Sequence, residues 1–309
     1  MAEDPFVHDP SMIREDQTYY VFSTGRPQVN DGGIQVIASE DLRTWRSLGT
    51  AFPEIPAWAR ERVPGVRSLW APDISLHQGR YRLYYAGSTF GRNTSVIGLA
   101  CNSTLDPDSP SYRWVDRGLV LASTQADDWN AIDPHLLADE GGAAWLSYGS
   151  FWSGIHLVRL DAATGLPDGS RPQALARRPE PPHAMEAPCV LHRPPHYYLF
   201  VSFDFCCRGV NSTYRIVSGR AAHPAGPYRD EDGRPMLEGG GTPVLGTAGT
   251  TIGPGGQSVY RDGDTEYLVY HFYDGLDGGR AKLQIRALLW TDEGWPRVGP
   301  PIVPHASRA

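Results

Sequence analysis

The chain has 309 residues and a formal net charge of −7, and 40% of its residues are hydrophobic, so it is long enough to bury a sizeable core. It contains no basic run, which argues against nucleic acid or an anionic membrane as a partner. No stretch approaches the roughly 18 consecutive apolar residues of a membrane span. The low charged fraction of 20%, together with 9 Trp and 15 Tyr, favours many short β-strands and a site that stacks on its ligand.

The N-terminal residues do not resemble a signal segment. No basic-then-apolar run precedes Phe6, where the first predicted structural unit begins. The protein is therefore either intracellular or a secreted protein whose signal has been removed. We favour secretion as the expectation and keep a cytoplasmic location as the alternative.

A carboxylate stands beside a proline at four places, each about ten residues before an aromatic run. The four sites are His8-Asp9-Pro10-Ser11, Trp70-Ala71-Pro72-Asp73, Ile132-Asp133-Pro134-His135 and Glu186-Ala187-Pro188-Cys189. Their prolines are 62, 62 and 54 residues apart, and a fifth aromatic run, at 267–270, follows Gly253-Pro254-Gly255. A recurring unit of this size indicates a propeller. The sequence therefore predicts an all-β fold, a single five-bladed β-propeller domain over residues 1–309.

Each blade is predicted to contain four strands, because turn residues divide the chain into short apolar and aromatic segments. Apolar residues nowhere recur at helical spacing over three turns. The predicted strands are 7–13, 18–24, 33–39 and 44–52; 71–76, 81–87, 96–102 and 112–121; 132–137, 144–149, 155–161 and 173–177; 187–191, 197–203, 214–220 and 228–235; and 257–260, 267–272, 283–289 and 295–298. The connection 53–69 has room for one helical turn, and 239–253 is predicted to be a loop.

The innermost strands of a propeller surround a central channel, so residues of the repeated motif should meet at one mouth of it. Asp9, Asp133 and Glu186 are then predicted to converge, although Asp-Pro alone also starts strands, since the residue before proline is held extended. Asp73 follows its proline, so strand alternation points it to the opposite side and predicts a structural role.

A pair of carboxyl groups on either side of the scissile bond is the usual catalytic arrangement for glycoside hydrolysis. One activates water as a carboxylate, and the other donates a proton to the leaving oxygen. A third carboxylate nearby raises the pKa of the acid by like-charge repulsion. The sequence contains no Gly-x-Ser-x-Gly elbow, phosphate loop or His-Glu-x-x-His motif, which disfavours serine-nucleophile, nucleotide and zinc chemistry.

The motifs together resemble glycoside hydrolase family 43, and within it the endo-α-1,5-L-arabinanases. The matching segments, in the family's order, are 8–11, 70–74, 88–91, 130–134, 149–154, 186–188, 203–210, 253–255 and 270–274. The resemblance implies that Asp9 is the general base, Glu186 the general acid, and Asp133 the residue that tunes and orients the acid. One departure is that many relatives carry His and Asn where this chain has Gly256 and Gln257.

The resemblance also implies a set of substrate-binding residues. They are Trp70, Phe90, Gly91, Asn130, Ser150, Phe151 and Trp152. Aromatic rings at these positions could stack on sugar faces or fill space between blades, and the first reading is favoured. Gly91 would permit close backbone approach, and Asn130 offers both a donor and an acceptor for a furanose hydroxyl.

His271 is the one candidate metal ligand. A lone histidine is more often packed than ligating, but the resemblance implies that it faces one calcium ion in the central channel. Because hard cations prefer oxygen ligands, such an ion would be mostly hydrated. No organic cofactor is expected.

The four cysteines, Cys101, Cys189, Cys206 and Cys207, have neither zinc-type spacing nor the density of a disulfide scaffold. The adjacent Cys206 and Cys207 could form a vicinal bridge or remain two reduced packing residues. The reduced state is favoured here, since free Cys commonly behaves as a small buried hydrophobe.

The leading functional prediction is an inverting endo-acting hydrolase whose partners are arabinan and arabino-oligosaccharides. An exo-acting arabinanase or α-L-arabinofuranosidase is the first alternative, and a non-catalytic carbohydrate-binding propeller is the second. Endo action is favoured because the connections 25–32 and 91–95 are short and the aromatic candidates come from two blades. The longer segments 53–69 and 239–253 are the ones that could close one end of a groove.

Overall fold

A computed structural model describes residues 6–302, and residues 1–5 and 303–309 of the predicted domain lie outside the described part. Within that part, twenty strands form five four-stranded antiparallel sheets in which consecutive strands are neighbours. This arrangement confirms the five-bladed propeller. No helix in residues 6–302 is long and apolar enough to cross a membrane.

Every blade takes its four strands in chain order. Blade one contains β1 (Ser11–Glu15), β2 (Thr18–Ser23), β3 (Gln35–Ser39) and β4 (Arg46–Thr50), and blade two contains β5 (Leu69–His77), β6 (Arg80–Gly87), β7 (Ser95–Asn102) and β8 (Val115–Ser123). Blade three contains β9 (His135–Ala138), β10 (Ala144–Tyr148), β11 (Ile155–Leu160) and β12 (Gln173–Ala176). Blade four contains β13 (Met185–Arg193), β14 (His196–Phe203), β15 (Arg215–Ala221) and β16 (Thr242–Leu245), and blade five contains β17 (Thr251–Asp262), β18 (Thr265–Asp274), β19 (Arg280–Trp290) and β20 (Pro296–Ile302).

The outer strand of blade four differs from the prediction. It is β16, inside the segment 239–253 that was predicted to be a loop, and it pairs with Ile216, Val217 and Ser218 of β15. The predicted strand 228–235 forms only isolated bridges, because Arg229 pairs with both Arg220 and Pro235 across a tight turn. The same loop prediction also missed the first residues of β17.

Two short helices lie in connections between strands. The helical turn predicted within 53–69 is confirmed as α2 (Ala57–Arg62). The other, α1 (Pro27–Asn30), was not predicted; it begins at a proline, whose fixed φ suits the first helical position. Helix α1 connects β2 and β3 within blade one, and α2 connects β4 of blade one to β5 of blade two.

The second strand of each blade carries the aromatic run seen in the sequence, and these rings fill the spaces between blades. One fully buried ring per blade is contributed by Phe22, Tyr85, Tyr148, Phe200 and Tyr270. Burying a large apolar side chain stabilises a fold by roughly 1.5–3 kcal/mol. The five rings therefore contribute substantially to the frame on which the channel mouth is built.

The residues before the four motif prolines are not extended, which corrects the prediction from the proline rule. Asp9, Ala71, Asp133 and Ala187 have φ values of 51°, 40°, 55° and 54°, and Gly256 of blade five has φ 56°. Sheet register shifts at this point in blades two, four and five. A left-handed residue interrupts the alternation of the strand, so that two successive side chains can face the mouth.

Candidate active site

The three predicted carboxylates lie together. Asp9, Asp133 and Glu186 line one cavity of about 520 Å³ at the channel mouth. Asp9 and Asp133 are the left-handed residues just before the first strands of their blades, whereas Glu186 is the second residue of β13. The N–H of Ala187 donates to Asp133 Oδ2 at 2.9 Å and joins blades three and four at the site.

Asp9 is held by three neighbouring groups. His8 Nδ1 lies 2.8 Å from Asp9 Oδ2, the Thr24 hydroxyl donates to the same oxygen at 2.7 Å, and the backbone N–H of Asp9 donates to His271 Nδ1 at 3.1 Å. Burial favours the neutral carboxyl, but His8, His271 and Thr24 together outweigh it and bring the pKa of Asp9 to about 2. Asp9 is therefore ionised at neutral pH.

Glu186 receives two hydrogen bonds from side chains. Ser150 Oγ donates to Oε2 at 2.7 Å, and the Tyr214 hydroxyl donates to Oε1 at 2.5 Å. Burial raises the pKa of Glu186, the two donors oppose that rise, and the charge of Asp9 adds to it. The net pKa is raised, which favours a protonated carboxyl.

Asp133 lies beside Glu186 and titrates together with it. Burial, followed by repulsion from Glu186 and Asp9, raises the pKa of Asp133 well above its usual value, and the N–H of Ala187 only partly opposes this. Like charges in one site cannot both ionise easily. Asp133 and Glu186 therefore retain a proton between them at pH values where isolated carboxyl groups have lost theirs.

A second cavity of about 510 Å³ adjoins the first. All seven predicted substrate-binding residues line it, together with Glu186. The two cavities share six residues, namely Trp70, Phe90, Ile132, Glu186, Cys206 and Cys207. The mouth is therefore a groove that runs in both directions from Glu186.

The groove walls have features suited to a sugar chain. The Phe90 ring is 78% exposed, and a Cβ added to Gly91 would meet nothing within 4 Å. Phe151 and Trp152 have φ values of 52° and 38°, which are uncommon for aromatic residues. Hydrogen bonds from Phe151 N–H to Met185 O at 2.8 Å and from Gly154 N–H to Phe151 O at 2.6 Å hold this turn. Such outliers cluster at functional sites.

Asn130 lies in the polar part of the second cavity wall. Its side chain is buried, and its Oδ1 accepts a hydrogen bond from Ser95 Oγ at 2.7 Å. Ser95 in turn lies 2.7 Å from Ser88 Oγ. The Asn130 amide is therefore oriented by its neighbours.

Asp73 is confirmed as structural. It is buried, pairs with His135 Nδ1 at 3.0 Å, and accepts the N–H of Leu136 at 2.9 Å. These contacts connect blades two and three below the mouth. Neither groove cavity includes Asp73 among its lining residues.

The sequence reasoning missed several residues of the site. His8, Thr24, Tyr214 and Tyr273 all contact the carboxylates or their direct partners. For His8 the signal was present, since it precedes Asp9 in the repeated motif. Tyr214 was assigned only to the start of a strand, and nothing in its spacing connected it with Glu186.

The cysteine prediction was wrong in part. Cys206 and Cys207 form a disulfide, whereas Cys101 and Cys189 are free and buried as expected. The pair does not pack in the core, because it lies in the β14–β15 connection and lines both groove cavities. Cys207 is exposed.

His271 is buried behind Asp9 and lines neither groove cavity. Its ring stacks on His8 with 3.7 Å between centroids. Burial, followed by the charge of His8, lowers the pKa of His271 well below its usual value, so the imidazole is neutral. The Nε2 atom is buried and has no hydrogen-bond partner among the described residues.

The residues around His271 do not fit a bound calcium ion. Because His271 Nδ1 accepts the N–H of Asp9, the one proton of the neutral ring lies on Nε2, which leaves no lone pair for a metal. The cluster of His8, Asp9 and His271 brings its ligand atoms within 4.8 Å of one another but offers a single carboxylate, so water would have to supply most of the six to eight oxygens that calcium takes.

Dialysis against a chelator is accordingly expected to leave kcat/KM on arabinan within about twofold of the untreated value, because the described donors do not match calcium. The measurement compares chelated protein with the same sample after calcium is added back. A loss of activity that calcium restores would contradict this expectation.

Gly256 takes, in blade five, the place of the residues that precede proline in the other blades. A Cβ at Gly256 would lie 2.4 Å from Asp9 Oδ1 and 2.7 Å from His271 Nδ1. The next residue, Gln257, accepts from Ser202 Oγ and donates to Ala187 O, each at 2.7 Å. Gly256 and Gln257, the two residues that depart from the family pattern, therefore line the channel next to Asp9 and not the groove.

Gly256→Ala is expected to lower kcat by about 10²-fold, because the added methyl displaces the Asp9 carboxylate, and small misplacements of reacting groups have effects of this size. Gly263→Ala is the matched control in the same blade. Gly263 has φ 58° and open space around it, so its variant carries the same backbone strain without the collision. Equal loss of kcat in both variants would show that strain alone is responsible.

Comparison with known proteins places this geometry in a family. Residues 4–296 match the model of glycosyl hydrolases family 43. The extracellular endo-α-(1→5)-L-arabinanase 1 of Bacillus subtilis is 43% identical, over 96% of this chain and 88% of that protein. The extracellular exo-α-(1→5)-L-arabinofuranosidase of Cellvibrio japonicus is 42% identical, over 96% of this chain and 87% of that protein.

A solved structure shows the same likeness. The Cellvibrio cellulosa α-L-arabinanase complexed with arabinohexaose superposes with a TM-score of 0.91 at 41% identity and covers 96% of both chains. The family match over residues 4–296 includes Asp9, Asp133 and Glu186. The chain therefore belongs to glycosyl hydrolase family 43.

Proposed function

We propose that this protein is an endo-1,5-α-L-arabinanase, which hydrolyses internal α-1,5-L-arabinofuranosidic bonds of arabinan with inversion. The observation that carries the proposal is the groove, whose two cavities meet at Glu186. A chain lying in this groove has sugar units on both sides of the carboxylates. Family membership and the similar arabinanases supply the substrate class.

Asp9 acts as the general base. With a pKa of about 2 it is a carboxylate at working pH. It removes a proton from a water molecule, and the water oxygen attacks the anomeric carbon opposite the leaving group. His8 and Thr24, each hydrogen-bonded to Oδ2, fix the orientation of the carboxylate.

Glu186 acts as the general acid and gives its proton to the leaving oxygen of the next arabinose unit. Its raised pKa keeps that proton available. The charge of Asp9 contributes to that rise. We assign the tuning of the acid to Asp133, because the two carboxyl groups titrate together and the N–H of Ala187 orients Asp133. Ser150 and Tyr214 orient Glu186 through its two oxygens.

The seven predicted residues that line the second cavity are proposed to bind sugars at and beside the cleaved bond, and two of them, Trp70 and Phe90, also line the first cavity. Exposed Phe90 and half-buried Trp70 offer stacking surfaces from blade two, and Trp152 offers one from blade three. Asn130 supplies a buried polar group for a furanose hydroxyl. The predicted residues thus form one continuous wall.

Exo action is the second candidate, because similar proteins include an exo-acting arabinofuranosidase and an exo-acting arabinanase. An exo enzyme needs a wall that stops the chain beyond its terminal unit. The segments 53–69 and 239–253 were the candidates for that wall, and no described residue of either lines the groove cavities. The α1 helix contributes Pro27 and Gln28 to one end of the groove without closing off the other cavity.

The test is hydrolysis of debranched arabinan, followed by viscosity, reducing ends and product length. Endo action predicts a steep fall in viscosity for few reducing ends, with oligosaccharides of mixed length early. Release of arabinose or one oligosaccharide alone, with viscosity nearly unchanged, would establish exo action. Inversion predicts that proton NMR shows the β-anomer first. No hydrolysis, but binding of arabinan, would identify a binding module.

Secretion is part of the same proposal. The two similar enzymes described above are extracellular. A disulfide such as Cys206–Cys207 persists in oxidising compartments and is rare in the cytosol. The proposed partners are polymeric arabinan and its oligosaccharides, because similar proteins are named as arabinanases and one was solved with arabinohexaose.

A further inference from the structure

The Cys206–Cys207 disulfide stands at the point where the two groove cavities meet. Both residues line both cavities, in company with Trp70, Phe90 and Glu186. Trp70 and Phe90 come from blade two, whereas the disulfide follows β14 of blade four. Blades two and four are not neighbours in the ring, so these groups approach the groove from different sides of the mouth.

The loop that carries the disulfide is held by other contacts as well. Asp204 pairs with Arg178 at 2.5 Å and with Arg215 at 2.7 Å. Across the loop, Thr213 N–H donates to Phe205 O at 2.9 Å, and Phe205 N–H donates to Thr213 Oγ1 at 3.2 Å. These contacts do not depend on the sulfurs, so the bridge is not the sole restraint on the loop.

The position of the bridge has a direct connection with the base. Cys207 N–H donates to the Tyr273 hydroxyl at 2.7 Å, and that hydroxyl lies 2.9 Å from His8 Nε2. His8 Nδ1 contacts Asp9 Oδ2 at 2.8 Å. Cys207 Sγ is itself 3.7 Å from His8 Nε2. A sugar ring that contacts the sulfurs therefore lies beside the group that orients Asp9.

From this placement we infer that the Cys206–Cys207 disulfide is a substrate-contacting platform, which receives the apolar face of an arabinofuranose unit at the cleavage point. Sulfur is soft and polarizable and makes favourable dispersion contacts. A disulfide between adjacent cysteines closes a small covalent ring with the backbone between them, so the two sulfurs have little conformational freedom. Two thiols could rotate independently and would lose that preorganisation. The inference rests on the proposed function, because it assigns a contact to the same sugar chain.

Protection of the disulfide by substrate tests the contact. In the Glu186→Gln protein, which retains the groove but not the acid, the bridge is reduced with a phosphine and the new thiols are alkylated and counted by mass spectrometry. Arabinohexaose at about 100 times its Kd, where about 99% of sites are filled, should slow reduction by about tenfold or more. Maltohexaose at the same concentration should change nothing.

Removal of the two sulfurs tests how much the disulfide contributes to the free energy of binding arabinohexaose. The double variant Cys206→Ala, Cys207→Ala keeps the Cys207 N–H and its bond to Tyr273 but removes the platform. Its Kd for arabinohexaose, measured in the Glu186→Gln background, should rise by about three- to tenfold, as expected for the loss of a modest apolar contact. Phosphine should weaken binding in the parent protein but not in this variant, although both contain Cys101 and Cys189.

The possible outcomes separate the inference from the function beneath it. If arabinohexaose binds, but neither slows reduction nor binds more weakly after the sulfurs are removed, the platform is refuted and the proposed function stands. If arabinohexaose does not bind at all, the proposed function and the inference both fail. Should the alanine variant not fold, the protection experiment on the intact disulfide decides alone.

Discussion

Replacing Glu186 with Gln or Asp9 with Asn is expected to lower kcat on debranched arabinan by about 10²–10⁴-fold in each case, as is usual for the loss of a general acid or base. Both replacements keep the shape of the side chain, so the fold should remain. Glu186→Gln removes the transferable proton, and Asp9→Asn removes the carboxylate that activates water. Initial rates of reducing-end release, with thermal unfolding of each variant, provide the measurement.

A substrate with a good leaving group separates the two roles. On a p-nitrophenyl α-1,5-arabino-oligosaccharide, departure of the phenolate needs little protonation. Glu186→Gln should therefore recover a large part of its loss on this substrate, whereas Asp9→Asn should remain as impaired as on arabinan. Glu140→Gln is the control, since Glu140 is exposed and pairs only with His192 in the described contacts. Recovery by Asp9→Asn instead would exchange the two assignments.

The fold could be predicted from the sequence because its unit repeats. The Asp-Pro and Ala-Pro motifs and the aromatic second strands recur at intervals that fit one blade each. Blade four shows the limit of this prediction. The segments 228–235 and 239–253 are both weakly patterned and contain turn residues, and only pairing with β15 determines which of them forms the outer strand. That choice depends on tertiary contacts, which local pattern does not contain.

The convergence of Asp9, Asp133 and Glu186 could be predicted for the same reason, since each stands in the repeated motif. Their partners were less visible. Tyr214 reaches Glu186 across the β14–β15 connection, and Thr24 reaches Asp9 from the end of β2. The left-handed backbone at Asp9 and Asp133 was also hidden, because the proline that follows favours an extended residue in most chains. Here the bulged strand ends impose the opposite conformation.

The disulfide illustrates a different limit. Adjacent cysteines in a sequence can be oxidised or reduced, and composition alone favoured the reduced pair. The structure gives both cysteines a place on the groove wall. Only the position of the loop relative to the channel mouth distinguishes a packing pair from a functional one.

The environment of Glu186 contains two opposed influences on its pKa, and each can be removed separately. Asp9 repels the Glu186 carboxylate, and Asp133 shares a proton with Glu186, so both carboxyl groups favour the protonated acid. Tyr214 and Ser150 donate hydrogen bonds that stabilise the carboxylate and favour proton loss. A general acid works only while protonated, so the alkaline limb of kcat/KM falls as the pH rises through the pKa of Glu186.

Asp133→Asn and Tyr214→Phe are therefore expected to move the alkaline limb in opposite directions. Asp133→Asn leaves one titrating carboxyl in place of a pair that shares a proton, so the pKa of Glu186 falls and the limb moves to lower pH. Loss of the Tyr214 hydroxyl raises the pKa of Glu186 and moves the limb to higher pH. A hydrogen bond to a charged group is equivalent to a pKa shift of about one to two pH units.

Tyr198→Phe is the matched control, because Tyr198 is also buried and its hydroxyl donates to Gly294 O instead of to a carboxylate. This variant should lower the stability of the protein without moving the alkaline limb. If both Asp133→Asn and Tyr214→Phe move the limb in the same direction, Glu186 does not govern it. If Asp133→Asn leaves the limb unmoved, Asp133 has only an orienting role, through the N–H of Ala187.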